Sequence, residues 1–215
     1  YLDSERYGIW LILSSVLGWF SFFDIGLGNG LRNKFTEATS KGDQNLARIY
    51  VSTTYGMLII IFSIVLLFFY FLNPFLNWAS ILNTSLIPSG ELSILALIVL
   101  TFFILRFIFK IIGIILMADQ RPAENNALEP ISNIIILVTI LVLKKISPEG
   151  SLIALGSVLS SVPVLILIVV SFILFKGRYK AYRPSLKWFN TKYTKELMRL
   201  GSRFFIISIS FVIFY

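Results

Sequence analysis

The 215-residue chain is 57% hydrophobic, has a mean hydropathy of +0.85 and carries a net charge of +8. It is far more apolar than a soluble domain of this size, so it reads as a membrane protein. It contains no cysteine and no histidine, which argues against disulfide frameworks, thiol nucleophiles, histidine acid–base chemistry and the usual zinc sets, and no enzymatic activity, cofactor or metal is expected.

The expected fold class is all-α, a polytopic bundle of transmembrane helices. A first span over 8–23 leads into DIGLGNG, Asp24 to Gly30. Glycines 26, 28 and 30 ahead of a helix superficially resemble a phosphate-cradling loop, where backbone N–H groups at a helix start attract anions. A membrane helix precedes them rather than a strand, so a flexible elbow is the better reading. Asp24 at that elbow can pair with Arg32 or Lys34, or take part in gating or ion coupling. Leu31, Phe35 and Ala38 then share one face of a polar segment, the pattern of an amphipathic helix lying along the membrane surface. Asp43 is placed to cap the next helix, whose span runs over 48–72. Residues 73–91 hold two prolines, a tryptophan and no Lys or Arg, and read as an outer loop dipping into the interface.

The span over 93–117 is interrupted by Arg106 near its middle and by Lys110. A central arginine costs about 2.5 to 3.5 kcal/mol on insertion scales, which six or more Leu, Ile or Phe at roughly −0.5 kcal/mol each can offset. Arg106, Lys110 and Gly113 follow i, i+4, i+7, so two cations and a small residue share one stripe that should face protein or water. Either Lys110 snorkels while Arg106 bonds a neighbouring helix, or the stripe is the cationic wall of an internal cavity for an anion.

Residues 118–129 read as a polar turn and Pro130 as the start of a span reaching 143. The span over 151–175 carries Gly156 and Ser160 four apart, a close-packing pattern, and Pro163, which should kink it. Residues 177–203 are rich in basic and aromatic residues and read as a linker, and 204–215 begin a further span. Alternating the spans gathers the basic residues of 32–48, Arg121 and those of 176–203 on one side, against Arg6, Lys144 and Lys145 on the other. The basic side is cytoplasmic by the positive-inside rule, which accounts for the charge without nucleic acid; the linker also meets anionic lipid heads. The acidic residues, Glu124 and Glu129 included, fall at or beyond the expected span ends. A carrier of cations would hold a carboxylate within the membrane.

YGIW at Tyr7 to Trp10, DIGLGNGLRNK at Asp24 to Lys34, KGD at Lys41 to Asp43 followed by Ala47 and Arg48, and YRPS at Tyr182 to Ser185 together resemble the polysaccharide flippases. These are the O-antigen and capsule repeat-unit transporters of the multidrug, oligosaccharidyl-lipid and polysaccharide exporter superfamily. The resemblance covers nearly the whole chain and implies a two-lobed, MATE-like transporter of the cytoplasmic membrane. Such a protein moves polyprenyl-pyrophosphate-linked oligosaccharides outward by alternating access for lipopolysaccharide and other surface polysaccharide biosynthesis. It implies an N-terminal lobe at 1–176 lacking its first helix, a cytoplasmic linker at 177–203 and a truncated first helix of the second lobe at 204–215. Arg106 and Lys110 match its cationic cavity, and Arg32 and Lys34 would make cytoplasmic basic contacts. Gly26, Gly28 and Gly30 would serve as a hinge as the helices rock. The implied partners are the lipid-linked substrate, membrane lipids, a polysaccharide polymerase and other assembly proteins. The rival readings are a multidrug or small-cation antiporter of the same superfamily and, from another class, a membrane glycosyl-polymerase or ligase.

Overall fold

A computed structural model describes residues 4–22, 27–84, 87–146 and 150–214. Among these there are nine α-helices and no strand: α1 (Ser4–Phe22), α2 (Leu27–Ser40), α3 (Gln44–Leu72), the single turn α4 (Trp78–Ile81), α5 (Ser89–Phe109), α6 (Ile111–Ala118), α7 (Pro122–Ile146), α8 (Leu152–Lys176) and α9 (Thr191–Phe214). Four stretches are long and apolar enough to cross a membrane: α3 with its three-ten extension to Phe75, α5 with α6, α7, and α8. Ile64, Phe68 and Phe71 on α3, Ile134 and Leu137 on α7, and Val169 and Ile173 on α8 are exposed. Apolar surface of that extent suits lipid, not water. The chain is a membrane protein built as a polytopic helical bundle.

Two apolar clusters hold the bundle together. One joins Leu31 and Phe35 of α2, Val51 and Leu58 of α3, Ile112 and Ile115 of α6, and Leu197 of α9. The other joins Ile9 of α1, Trp78 of α4, Leu92 and Leu95 of α5, and Leu152 of α8. In α3 the first half, from Ala47 to Leu58, is the buried part, and beyond it the helix turns bare apolar faces outward. α8 meets α5 at Gly156, where an added Cβ would collide with Leu95 Cδ1. The small residue there allows the two helices to approach closely.

The helix ends follow local chemistry. Asp43 caps α3, its Oδ1 accepting from Leu46 N at 2.9 Å, and Ser151 caps α8, its Oγ accepting from Ala154 N at 3.2 Å. α2 closes with Asp43 N donating to Ala38 O and Gly42 N to Thr39 O, with Gly42 at φ +74°. The same closure ends α4 at Asn83 and α6 at Gln120, both at positive φ. These are Schellman motifs, in which a left-handed residue returns the chain to the last open carbonyls.

Several sequence expectations need revision. Leu31, Phe35 and Ala38 do share a face, but it is buried against α3, α6 and α9 instead of lying on lipid. Residues 122–129, expected as a turn, are the first two turns of α7. Pro122 occupies the helix start that was assigned to Pro130, which lies inside the helix. Pro122 is preset for a first turn and needs no N–H there, while Ala, Glu and Leu after it favour helix. The polar connection shrinks to Asp119–Arg121. The last part of the expected linker, from Thr191, is already helical and forms one continuous helix with the apolar run to Phe214.

Just after α3, Asn73 is buried and ties α4 to α5. Trp78 Nε1 donates to Asn73 Oδ1 at 2.8 Å, and Asn73 Nδ2 donates to Ser93 Oγ at 2.6 Å. Asn73→Leu is expected to cost about 1 to 3 kcal/mol, because it leaves the indole N–H without a partner in a dry site. Thermal unfolding of the purified variant in detergent would measure it.

Candidate functional site

Arg106 and Lys110 line a cavity of about 250 Å³ between α5, α7 and α8. α5 and the residue after it contribute Phe103, Arg106, Phe107 and Lys110, an i, i+3, i+4, i+7 stripe. α7 contributes Asn125, Leu128, Glu129 and Ser132 with the same spacing, and α8 adds Pro163 and Leu167. Three helical faces therefore meet around one space. Of the expected stripe, Arg106 and Lys110 reach the cavity, and Gly113 abuts the Asn125 side chain so closely that a Cβ there would overlap Asn125 Oδ1.

The helix is not uniform at this point. Lys110 separates α5 from α6, and its carbonyl accepts from both Gly113 N at 2.9 Å and Ile114 N at 3.3 Å. One step tightens toward three-ten geometry beside the cavity. Pro163 removes a backbone donor from α8 on another wall, and Pro130 does so in α7 next to Glu129. Ser132 is buried, its hydroxyl donating back to Leu128 O at 2.7 Å.

Glu129 changes the electrostatics read from sequence. It was expected at or beyond a span end, yet it sits in the eighth position of α7 and lines the same cavity as the two cations. Two positive groups against one carboxylate leave the lining with a positive surplus. At about 250 Å³ the space is below the roughly 300 to 1,000 Å³ of pockets that enclose a drug-sized molecule, so it fits a charged group and not a whole oligosaccharide.

The other sequence candidates lie elsewhere. Asp24 and Gly26 are outside the described residues. Gly28 and Gly30 are not in an elbow but buried within α2. A Cβ on Gly30 would lie 2.9 Å from Leu197 O and 3.4 Å from Gly201 N, so α2 and α9 cross there nearly backbone to backbone. Arg32 is exposed. Lys34 forms a clasp between those two helices, its Nζ 2.6 Å from Glu196 and 2.9 Å from Glu37. The hydrogen bonds it donates to Glu196 and then to Glu37 push its ammonium above the ordinary lysine range. Glu37 is itself held down at about 2 by hydrogen bonds from Lys41 and then Lys34, but it is exposed, and water screens such pairs.

The segment after α8 is docked along much of its length. Arg48 Nε donates to Arg183 O at 3.1 Å and its guanidinium lies 5.1 Å from the Trp188 ring centroid. Ser185 N donates to Ser52 Oγ at 3.2 Å, and Asn190 N to Thr53 Oγ1 at 3.2 Å. Arg178 pairs with Glu124 at 2.8 Å, and Tyr179 donates to Asp119 at 2.8 Å. The polar ends of α3, α6, α7, α8 and α9 are thereby tied together.

Sequence reasoning missed Asn125, Glu129 and Ser132. Their i, i+4, i+7 spacing was available, but it shows only once α7 is started at Pro122.

A Salmonella typhi protein named "Putative O-antigen transporter" is 28% identical to this chain over 96% of its residues. The likeness runs nearly end to end. The chain spans 46% of that relative's length. No family model matches the chain, and no solved structure matches it.

Proposed function

We propose that the chain belongs to a polysaccharide transporter, a flippase that carries polyprenyl-pyrophosphate-linked oligosaccharide repeat units across the cytoplasmic membrane by alternating access. The observation that carries this reading is the cavity in which Arg106 and Lys110 face Glu129 among three helices. The likeness to the Salmonella typhi protein supports it along nearly all of the chain.

In this reading the cavity takes the phosphates and leaves the sugars to a wider path. Arg106 offers a planar fork that can hold phosphate oxygens bidentately, and Lys110 adds a point charge. Glu129 is the lining's own anion, so arriving phosphates compete with it for the cations. That competition keeps the headgroup from binding so tightly that it cannot leave. Helices that lack a backbone donor at Pro130 and Pro163 and are tightened at Lys110 would rock around this site. The basic face is cytoplasmic, where the substrate is loaded.

Glu129 also favours a second reading. A carboxylate in a cavity among apolar helices is what an antiporter of organic cations requires. Proteoliposomes of the full-length protein separate the two. Under the flippase reading a fluorescent lipid-linked oligosaccharide crosses the bilayer, a cationic dye does not, and Glu129→Gln still moves the oligosaccharide. Dye transport that is lost in Glu129→Gln, with no movement of the lipid-linked sugar, would overturn it.

A further inference from the structure

A second cavity of about 220 Å³ lies apart from Arg106 and Lys110 and has a different character. Its lining includes Tyr55 of α3, Phe109 of α5, Ser171, Phe172 and Lys176 of α8, and Arg183 of the docked segment. Two features there are unexplained by the transport reading. The hydroxyls of Tyr55 and Ser171 lie near each other without forming a well-directed hydrogen bond, and neither has another polar partner among the described residues, although both residues are more than nine-tenths buried. Such groups are rare in proteins because each forfeits a bond it would have in water. Lys176 and Arg183, by contrast, are exposed, and neither has a carboxylate partner among the described residues, whereas Lys34, Arg121 and Arg178 all do. Lys176 instead rests its ammonium 4.0 Å from the Phe172 ring centroid.

The vertical order of these groups is informative. Ser171 is five residues before Lys176 on α8, about 7 Å nearer the middle of the helix at 1.5 Å per residue. Cations therefore stand at the mouth, unpartnered hydroxyls lie about one and a half turns below, and aromatic and aliphatic side chains surround them. A diacyl glycerophospholipid presents the same order: an anionic phosphate, then ester carbonyls that only accept hydrogen bonds, then hydrocarbon. We infer that this cavity is a binding site for one anionic phospholipid of the cytoplasmic leaflet. Its phosphate lies between Lys176 and Arg183, its ester carbonyls accept from Tyr55 and Ser171, and its acyl chains run out along α8 over exposed Phe172 and Ile173. The leaflet is the one whose surface carries the anionic lipid and toward which the basic residues of this chain are biased. Because Arg183 belongs to the segment whose backbone is held by Arg48 and Ser52, the lipid would fasten that segment to α8.

Native mass spectrometry of the full-length protein, titrated with phosphatidylglycerol or phosphatidylcholine, tests this without measuring transport. Phosphatidylglycerol is expected to be retained about tenfold better than phosphatidylcholine, the effect of one well-placed charged contact. Lys176→Ala with Arg183→Ala should bring the two lipids within twofold of each other. Tyr55→Phe should weaken both lipids about fivefold, in keeping with one lost hydrogen bond. Lys180→Ala with Lys187→Ala, which removes exposed charges off the cavity, should change neither. Equal retention of the two lipids in the unaltered protein overturns the site, as does a Lys180/Lys187 variant that loses selectivity as fully as the Lys176/Arg183 variant. Full displacement of phosphatidylglycerol by inorganic phosphate would likewise rule out a diacyl ligand. If the Lys176/Arg183 variant does not express, unchanged binding in Tyr55→Phe overturns the proposal by itself.

Discussion

Arg106→Ala is expected to abolish surface polysaccharide export while leaving the protein in the membrane at its normal level. The two halves of that result have separate causes. Removing a charge-assisted contact to a phosphate costs about 1.5 to 3 kcal/mol, or about 10- to 150-fold in affinity for the headgroup. Removing an arginine from the middle of a span lowers its insertion cost by about 2.5 to 3.5 kcal/mol, so α5 enters the bilayer at least as readily as before. A defect in assembly would instead follow from loss of apolar contacts, and Arg106 is exposed to the cavity and not part of either core cluster. Arg106→Lys keeps the charge but not the bidentate fork, and should fall between the two. Immunoblots for surface polysaccharide and for the membrane-fraction protein measure both halves. Normal polysaccharide in the alanine variant would remove Arg106 from the transport path.

The fold was largely legible because lipid imposes simple rules on sequence. Long apolar runs mark α3, α5 with α6, and α8, and Asp43 and Pro163 read directly as a cap and an intrahelical proline. Half of the cavity was legible for the same reason, since two cations in an apolar run stand out and their spacing puts them on one face. The other half was hidden by Pro130. A proline at a helix start and a proline inside a helix look alike in sequence, and choosing Pro130 as the start consigned Asn125 and Glu129 to a loop. With the start at Pro122, Asn125, Glu129 and Ser132 fall on one stripe. The burial of α2 could not have been read at all. Leu31, Phe35 and Ala38 announce an apolar face, but the same stripe serves a lipid surface or a protein partner, and only the arrangement of α3, α6 and α9 decides.

Gly30→Leu is expected to destabilise the protein by about 1 to 3 kcal/mol, and Gly30→Ala by a smaller amount. The nearest atom to a new Cβ is a backbone carbonyl, that of Leu197 at 2.9 Å, and a backbone atom cannot rotate away as a side chain can. α9 has to move off α2 as a unit. That motion also stretches the Lys34–Glu196 contact, which lies about one turn along α2 on the same crossing and is only 2.6 Å long. Gly8 in α1 supplies the control, because nothing lies within 4 Å of its Cβ position; Gly8→Ala should be neutral or gain up to about 1 kcal/mol from helix propensity. Thermal unfolding in detergent gives the ranking. The same series separates packing from a hinge at these glycines. Packing makes the cost rise from alanine to leucine and appear in stability. A hinge needs glycine's backbone freedom, so alanine and leucine would then slow transport equally and leave unfolding nearly unchanged. Since Gly30 is helical and pressed against α9, the graded stability loss is the expected outcome.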